Sequence, residues 1–366
     1  MANNGQTQMT ISLPNLTHNY NYLKRKIGSD VRFLAVVKAM AYGSDADTIA
    51  LHLENLGVDY FAVAYAPEGQ ALRKAGIKTP IMVLHPQPAH FDTITAFQLE
   101  PVLYSFRILK LFQSHAKLGN YPIHIKFNTG LNRLGFDTSG VEKVIRLLES
   151  DKHQFNVVSI LSHLAASEDL EERNFTLSQI HEFQDIAERF SAELGVQPLR
   201  HQCNTSGILN YPEAHFDMVR SGIGLYGFGN EANYDKNLKP IARLSTLISQ
   251  IHELKPGESL GYNRAFVADR TLRTATLPIG HADGIDRIYG RGKGYVFING
   301  QKAIIKGNVC MDMIMVDVTD IDCKEGDEVI IFDENHSAAE LAEAVGTISY
   351  ELVTGIAPRV PRYIAR

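Results

Sequence analysis

Lys38 closes "VRFLAVVKA", residues 31–39, an apolar and β-branched run that reads as a buried strand. An ammonium buried at such a strand end costs on the order of several kcal/mol unless it is paired. Two uses fit it. Either Lys38 is a structural lysine with a partner, or it is a desolvated amine of lowered pKa that forms an imine with an aldehyde cofactor. Asn128, His163, Asn204 and Thr205 fall at or near the ends of other such runs. Their convergence carries more weight than any one of them, because the C-terminal strand ends of a parallel barrel are its functional face.

The elements that must position these side chains are eight in number. The runs span 31–39, 60–64, 80–84, 100–104, 123–130, 157–164, 199–207 and 218–227, and pieces such as "DADTIALHLENLG" and "GVEKVIRLLES" between them have helical spacing. Eight β/α units in this length predict an α/β fold, a (β/α)8 TIM barrel. In "IHIKFN" the alternation sets Ile123, Ile125 and Phe127 under the helices and turns His124, Lys126 and Asn128 into the barrel. After Pro240 the pattern changes to strands without regular crossover helices, with the turn signals "KPGES" and "NGQ" and one late helix at "SAAELAEAVG". The expected division is residues 1–238 for the barrel and 239–366 for a mostly β C-terminal domain.

The 366 residues are 45% hydrophobic and 21% charged, enough for a large domain plus a smaller one. A net charge of −5 gives no electrostatic case for nucleic acid or an acidic membrane surface. Cys203, Cys310 and Cys323 are odd in number and lack CxxC spacing, so neither a disulfide framework nor a metal site is expected. No run of about 18 apolar residues or export signal occurs, and a cytoplasmic location fits.

"AVVKAMAYG" resembles the "AVVKANAYG" signature of alanine racemases, two-domain barrel enzymes that use pyridoxal 5′-phosphate (PLP). The likeness runs on in order through "NTGLNRLGF", "SHLAASE", "HQCNTS", "FDMVRSGIGLYG", "PGESLGY", "PIGHADG", "NVCMDMIMVDV" and "TISYELVTGIAPRVPR". It implies that Lys38 holds the cofactor covalently and serves as a base on one face of the substrate. Tyr262 matches the second base, which reaches the site from a partner subunit, so a homodimer with shared sites is implied. Tyr42, Thr205, Ser206, Gly222, Ile223 and Tyr350 match positions that bind the cofactor phosphate, and Asn204 lies beside them. Arg220 matches the arginine set against the pyridine nitrogen, with His163 among the cofactor-binding residues and His201 supporting. Arg133 matches an anion clamp for the substrate carboxylate, and Lys126 a position carbamylated in some members, with water or chloride as the other occupant beside it. Cys310, Met311 and Asp312 resemble the partner segment that helps to hold that carboxylate. Glu168, His281, Arg287, Asn308, Ile348 and Tyr350 map to the access corridor.

Four letters depart from the commonest family pattern: Met40 for Asn, Asn128 for Asp, His281 for Tyr and Asn308 for Arg. The implied reaction is interconversion of L- and D-alanine, supplying D-alanine for peptidoglycan. The stretch "GNVCMDMIMVDVTDIDCKEGDE" also resembles the racemase halves of some fused cell-wall enzymes. Three other readings stay open at this point. The corridor changes leave room for a racemase of serine or another small amino acid. A PLP decarboxylase of the same architecture gains a foothold from "CMD" but lacks its "GEPGR"-like loop. A PLP-carrier barrel would not need the residues after Pro240.

Overall fold

The computed structural model describes residues 6–115, 119–150, 154–229 and 232–366. The chain opens with β1 (Gln8–Ser12) and a helix, Leu13–Lys24, which starts where the Ser12 hydroxyl accepts the Asn15 N–H and Pro14 sets the first turn. Eight strands follow: β2 (Arg32–Val36), β3 (Tyr60–Val63), β4 (Ile81–Val83), β5 (Glu100–Leu103), β6 (Tyr121–Lys126), β7 (Phe155–Leu161), β8 (Leu199–His201) and β9 (Met218–Ser221). They pair in parallel in the order β8-β7-β6-β5-β4-β3-β2-β9. The Asp217 N–H to the Arg200 carbonyl (3.1 Å) and the Arg220 N–H to the Cys203 carbonyl (3.2 Å) close the ring between β9 and β8. This is the (β/α)8 barrel expected from the eight runs.

Burial explains the run-like strands. β3, β4 and β9 are buried along their whole length, as parallel strands covered on both faces require. The helices between them bury one stripe each; in Val141–Ser150 it is Val141, Val144, Ile145 and Leu148, the i, i+3, i+4, i+7 face. Ile123, Ile125 and Phe127 are fully buried, and so is His124, which bonds to Ser159 of the neighbouring strand β7.

The second layer is β10 (Ala242–Leu247), β11 (Gln250–Leu254), β12 (Ser259–Leu260), β13 (Phe266–Val267), β14 (Leu272–Leu277), β15 (Tyr295–Ile298), β16 (Gln301–Lys306), β17 (Ile314–Asp317), β18 (Glu328–Phe332) and β19 (Arg362–Ala365). Nine strands form one sheet in the order β11-β14-β17-β16-β15-β18-β10-β1-β19. β1 therefore belongs to this sheet, antiparallel to β10 and parallel to β19, although its residues precede the barrel. The chain's first strand ties the two layers together.

Candidate active site

The strand ends of the barrel surround a cavity of about 470 Å³. Its lining includes Lys38, Tyr42, Lys126, Arg133, His163, Asn204, Thr205, Ser206, Arg220, Gly222, Ile223 and Tyr350, together with His85 and Tyr65. Four side chains are cationic types and none is a carboxylate. Such a cavity calls for a multiply charged anion.

Lys38 is held by an uncommon piece of backbone. Ala39, Met40, Ala41 and Tyr42 have φ between 52° and 55° and ψ between 41° and 58°, and Gly43 continues at φ 79°, so the turn after Lys38 is left-handed. For L-residues this costs about 1–2 kcal/mol per residue, and the surroundings must hold it. The Ala41 N–H donates to the Val37 carbonyl (3.1 Å) within the turn. At its start Glu68 accepts the Ala39 N–H (2.7 Å) and the Ala64 N–H (2.7 Å). At its end Arg362 donates to the Gly43 carbonyl through Nε (3.2 Å) and Nη2 (3.0 Å). A Cβ on Gly43 would collide with the Val353 carbonyl, so only glycine lets the helix Ser349–Thr354 pack there. Asn tolerates left-handed backbone better than most residues; Met40, half exposed, does without that advantage.

Tyr42 stacks on Tyr226 (centroids 4.4 Å apart) and lies 6.0 Å from Tyr350. Burial, and Tyr350 after it, hold its phenol protonated by pushing the pKa up. A Cβ on Gly222 would overlap the Tyr42 hydroxyl, so the backbone of Gly222 and Ile223 comes close to that group. Across from it begins the helix Thr205–Asn210, capped where Asn204 Oδ1 accepts the Gly207 N–H (2.9 Å). Tyr42, Thr205, Ser206, Gly222, Ile223 and Tyr350 all line the cavity, and hydroxyls and backbone N–H groups are donors suited to a phosphate.

Arg220, only 4% exposed, occupies the cavity floor. Nη1 donates to His201 Nδ1 (2.7 Å) and to the His201 carbonyl (3.1 Å). Nη2 donates to the Ser162 carbonyl (2.8 Å), His163 Nδ1 (2.9 Å) and the Gln202 carbonyl (3.0 Å). Nε takes part in none of these bonds, and Arg220 lines the cavity. An arginine can only donate, so both histidines accept at Nδ1 and are neutral. Burial first, and the Arg220 charge second, push both imidazole pKa values well below the usual range. Burial lowers Arg220 itself to about 10, and it stays protonated.

Lys126 and Lys38 are also pushed down. Burial leads in each case; Arg220, Arg133 and Lys38 add to it at Lys126, which falls to about 8, and Arg133 adds at Lys38. Arg133 sits on an excursion whose ends are pinned by Phe136 N–H to the Lys126 carbonyl (2.8 Å) and Asn128 N–H to the Phe136 carbonyl (2.9 Å). Within it Asn128 accepts the Asn132 N–H (2.9 Å) at Oδ1 and donates to Asn132 Oδ1 (2.9 Å) and Asp137 Oδ1 (3.2 Å). The departure at 128 thus organises the loop that carries Arg133.

Tyr262, Met311 and Asp312 do not line this cavity. Tyr262 is 73% and Met311 59% exposed. Asn308 joins the two segments: Nδ2 donates to the Tyr262 carbonyl (3.2 Å), and Oδ1 accepts Arg291 Nε (2.9 Å). Behind Met311, Arg359 donates to Asp312 Oδ1 (2.8 Å) and Asp283 Oδ1 (2.7 Å), while Ala282 N–H donates to the Met311 carbonyl (2.9 Å). The corridor set also divides. Glu168, Ile348 and Tyr350 line a larger groove of about 1,260 Å³ next to the cavity, whereas His281, Arg287 and Asn308 stand on the C-terminal layer. Residues not singled out in the sequence include Glu68, Tyr226, Ser162, Tyr65 and His85; only the Pro67-Glu68 helix opening offered a signal.

Two family profiles cover the chain: "Alanine racemase, N-terminal domain" over residues 11–229 and "Alanine racemase, C-terminal domain" over 241–364. An alanine racemase of Halothermothrix orenii is 35% identical over 97% of this chain and 96% of its own. Alanine racemase 1 of Clostridium acetobutylicum is 36% identical, over 96% and 93%. Among solved structures, an alanine racemase of Clostridium difficile 630 superposes with a TM-score of 0.91 at 32% identity, covering 98% of this chain and 96% of that one. That of Bartonella henselae, described with covalently bound pyridoxal phosphate, superposes at 0.90 and 29% identity, covering 99% and 100%.

Proposed function

The chain belongs to the alanine racemase family, and from that premise we propose that it interconverts L- and D-alanine with pyridoxal 5′-phosphate held at the barrel mouth. The observation that carries this reading is the cavity itself: four side chains of cationic type, no carboxylate, and hydroxyl and backbone donors in its lining. That chemistry fits a phosphorylated, phenolate-bearing ring and an amino-acid carboxylate. Lys38 is the attachment point, and its lowered pKa supports a share of free amine. Tyr42, Thr205, Ser206, Gly222, Ile223 and Tyr350 hold the phosphate, with Asn204 and His163 beside the ring. Arg220 would face the pyridine nitrogen, and as a donor that carries no lone pair to accept a proton it would favour the unprotonated ring nitrogen. The bound cofactor acidifies the Cα hydrogen by drawing electron density into its ring.

Arg133 orients the substrate carboxylate, and Lys126 supports Arg133; an amine with a pKa near 8 also reacts with carbon dioxide, in keeping with a carbamate there. Racemisation needs a proton taken from one face of Cα and returned to the other. Lys38 serves one face and Tyr262 of the partner subunit serves the other, with Met311 and Asp312 of the partner subunit closing on the carboxylate. The exposure of Tyr262 and Met311 supports a homodimer in which the C-terminal layer, residues 239–366, faces the barrel, residues 1–238, of the other chain. Among the described residues no helix is long and apolar enough to cross a membrane. Cytoplasmic supply of D-alanine to peptidoglycan is the role that suits this activity.

A test is chiral analysis of an amino-acid panel in deuterated water. The expected result is a yellow protein that turns either alanine enantiomer into both, with deuterium at Cα. A yellow protein that exchanges no Cα hydrogen would overturn the reading.

A further inference from the structure

Arg220 is buried at the cavity floor with no carboxylate among its hydrogen-bond partners. Buried charges are ordinarily paired. A chain of hydrogen bonds leads from it to one. Arg220 Nη1 meets His201 Nδ1 at 2.7 Å, and His201 Nε2 meets Ser159 Oγ at 2.9 Å. Ser159 Oγ meets His124 Nδ1 at 2.6 Å, and His124 Nε2 meets Glu100 Oε2 at 2.9 Å. Tyr60 adds its hydroxyl to the same Glu100 oxygen at 3.2 Å. His201, Ser159 and His124 are wholly buried, and the Glu100 side chain is 12% exposed.

With His124 neutral, the two ends dictate the direction of every link. A guanidinium only donates and a carboxylate only accepts. His201 therefore accepts at Nδ1 and donates from Nε2, Ser159 accepts from His201 and donates to His124, and His124 donates from Nε2 to Glu100. Each member comes from the next strand in order: β5, β6, β7, β8 and β9. The pairing of β6 with β7 shifts register between Ile123 and His124, so that Ile123 lies opposite Val157 but His124 opposite Ser159. That bulge brings Ser159 beside His124 and omits Val158 from the pairing. An unshifted register would put an isopropyl group at the centre of the chain.

We propose that Glu100 is a positioning residue for Arg220, acting through the His124–Ser159–His201 relay. Its negative charge polarises successive links, makes His201 Nδ1 a better acceptor and so holds the guanidinium plane with Nε toward the cavity. The idea rests on the assignment of Arg220 to the cofactor ring given above. The alternative is that Glu100 acts locally or through space, as the counter-charge of Arg73, whose guanidinium feels it.

A double-mutant cycle separates these, read by 15N resonances of His201 and Arg220 in the holoenzyme, which need no turnover. Glu100→Gln keeps an acceptor and removes the charge; Ser159→Ala cuts the relay without touching a charge. The expected result is that Glu100→Gln moves the His201 Nδ1 and Arg220 Nη1 signals in the native background and moves neither once Ser159 is Ala. Racemisation should fall on the order of tenfold in kcat with the KM for alanine little changed, as for loss of an outer hydrogen-bond partner. Equal shifts in both backgrounds, or no shift in the native one, would overturn the proposal. Should Ser159→Ala not fold, Ser159→Cys gives a weaker cut with the same sign. A protein lacking racemase activity but showing the non-additive shifts would sink the functional assignment and leave the relay standing.

Discussion

The barrel mouth and the Tyr262–Met311 face are built on opposite plans. At the mouth, Arg220, His163 and His201 are locked by acceptors from several strands, and even their tautomers follow from the hydrogen bonds. On the C-terminal layer, Tyr262 and Met311 point outward, and the protein fixes their backbone through Asn308, Ala282 and, one residue on, Arg359. Preorganisation sits in side chains in one region and in backbone in the other. The difference teaches that one chain can lock charged side chains inside a cavity while holding other side chains out on its surface by their backbone.

The largest effect that could break this comparison comes from mixing two dead proteins. Lys38→Ala and Tyr262→Phe each lose on the order of 10³-fold or more in kcat/KM, as loss of a general base or nucleophile implies. Refolded together in equal amounts they should recover about a quarter of native activity, because half of the dimers are mixed and each holds one intact site. No recovery would mean that both bases come from one chain, or that the two regions never meet.

Acid should separate the regions next. His163 and His201 have folded pKa values depressed by burial, so their contribution is present above the unfolded value near 6.5 and is lost as pH falls below it. Each then contributes a slope of about 1.4 kcal/mol per pH unit. Urea unfolding at successive pH values between 7 and 5 should show the barrel losing stability along that slope. A flat response would show that neither histidine is held neutral.

The smallest effect concerns the outward face. Arg359→Ala unties Asp312 from Asp283 and frees the Met311 loop, so the KM for alanine should rise on the order of tenfold while kcat changes little. Steady-state kinetics decide it, and a fall confined to kcat would move Arg359 from substrate positioning to the chemistry.

The barrel was legible because its strands are continuous apolar runs that stop at polar letters, and Lys38, His163 and Asn204 stand at those stops. β1 was not, since five residues of mixed character pair only with strands more than two hundred positions away. The cation-rich mouth could be read from residue types. The mirrored turn could not: alanine has no taste for left-handed backbone, and the reasons for it lie in Glu68, Val353 and Arg362. Ser159 was equally silent, a serine in an apolar run whose place in the relay depends on a register shift that no local letter announces.

The mirrored turn also sets an order of assembly. Its far end is fastened by Arg362, which meets the Gly43 carbonyl from 319 residues later, and by the late helix that packs on Gly43. A ribosome delivers Lys38 long before the partners that hold its turn, Val353 and Arg362. During synthesis the growing barrel therefore carries Lys38 on a segment free to take the ordinary right-handed form, and the mirrored turn is fastened only after Arg362 has emerged.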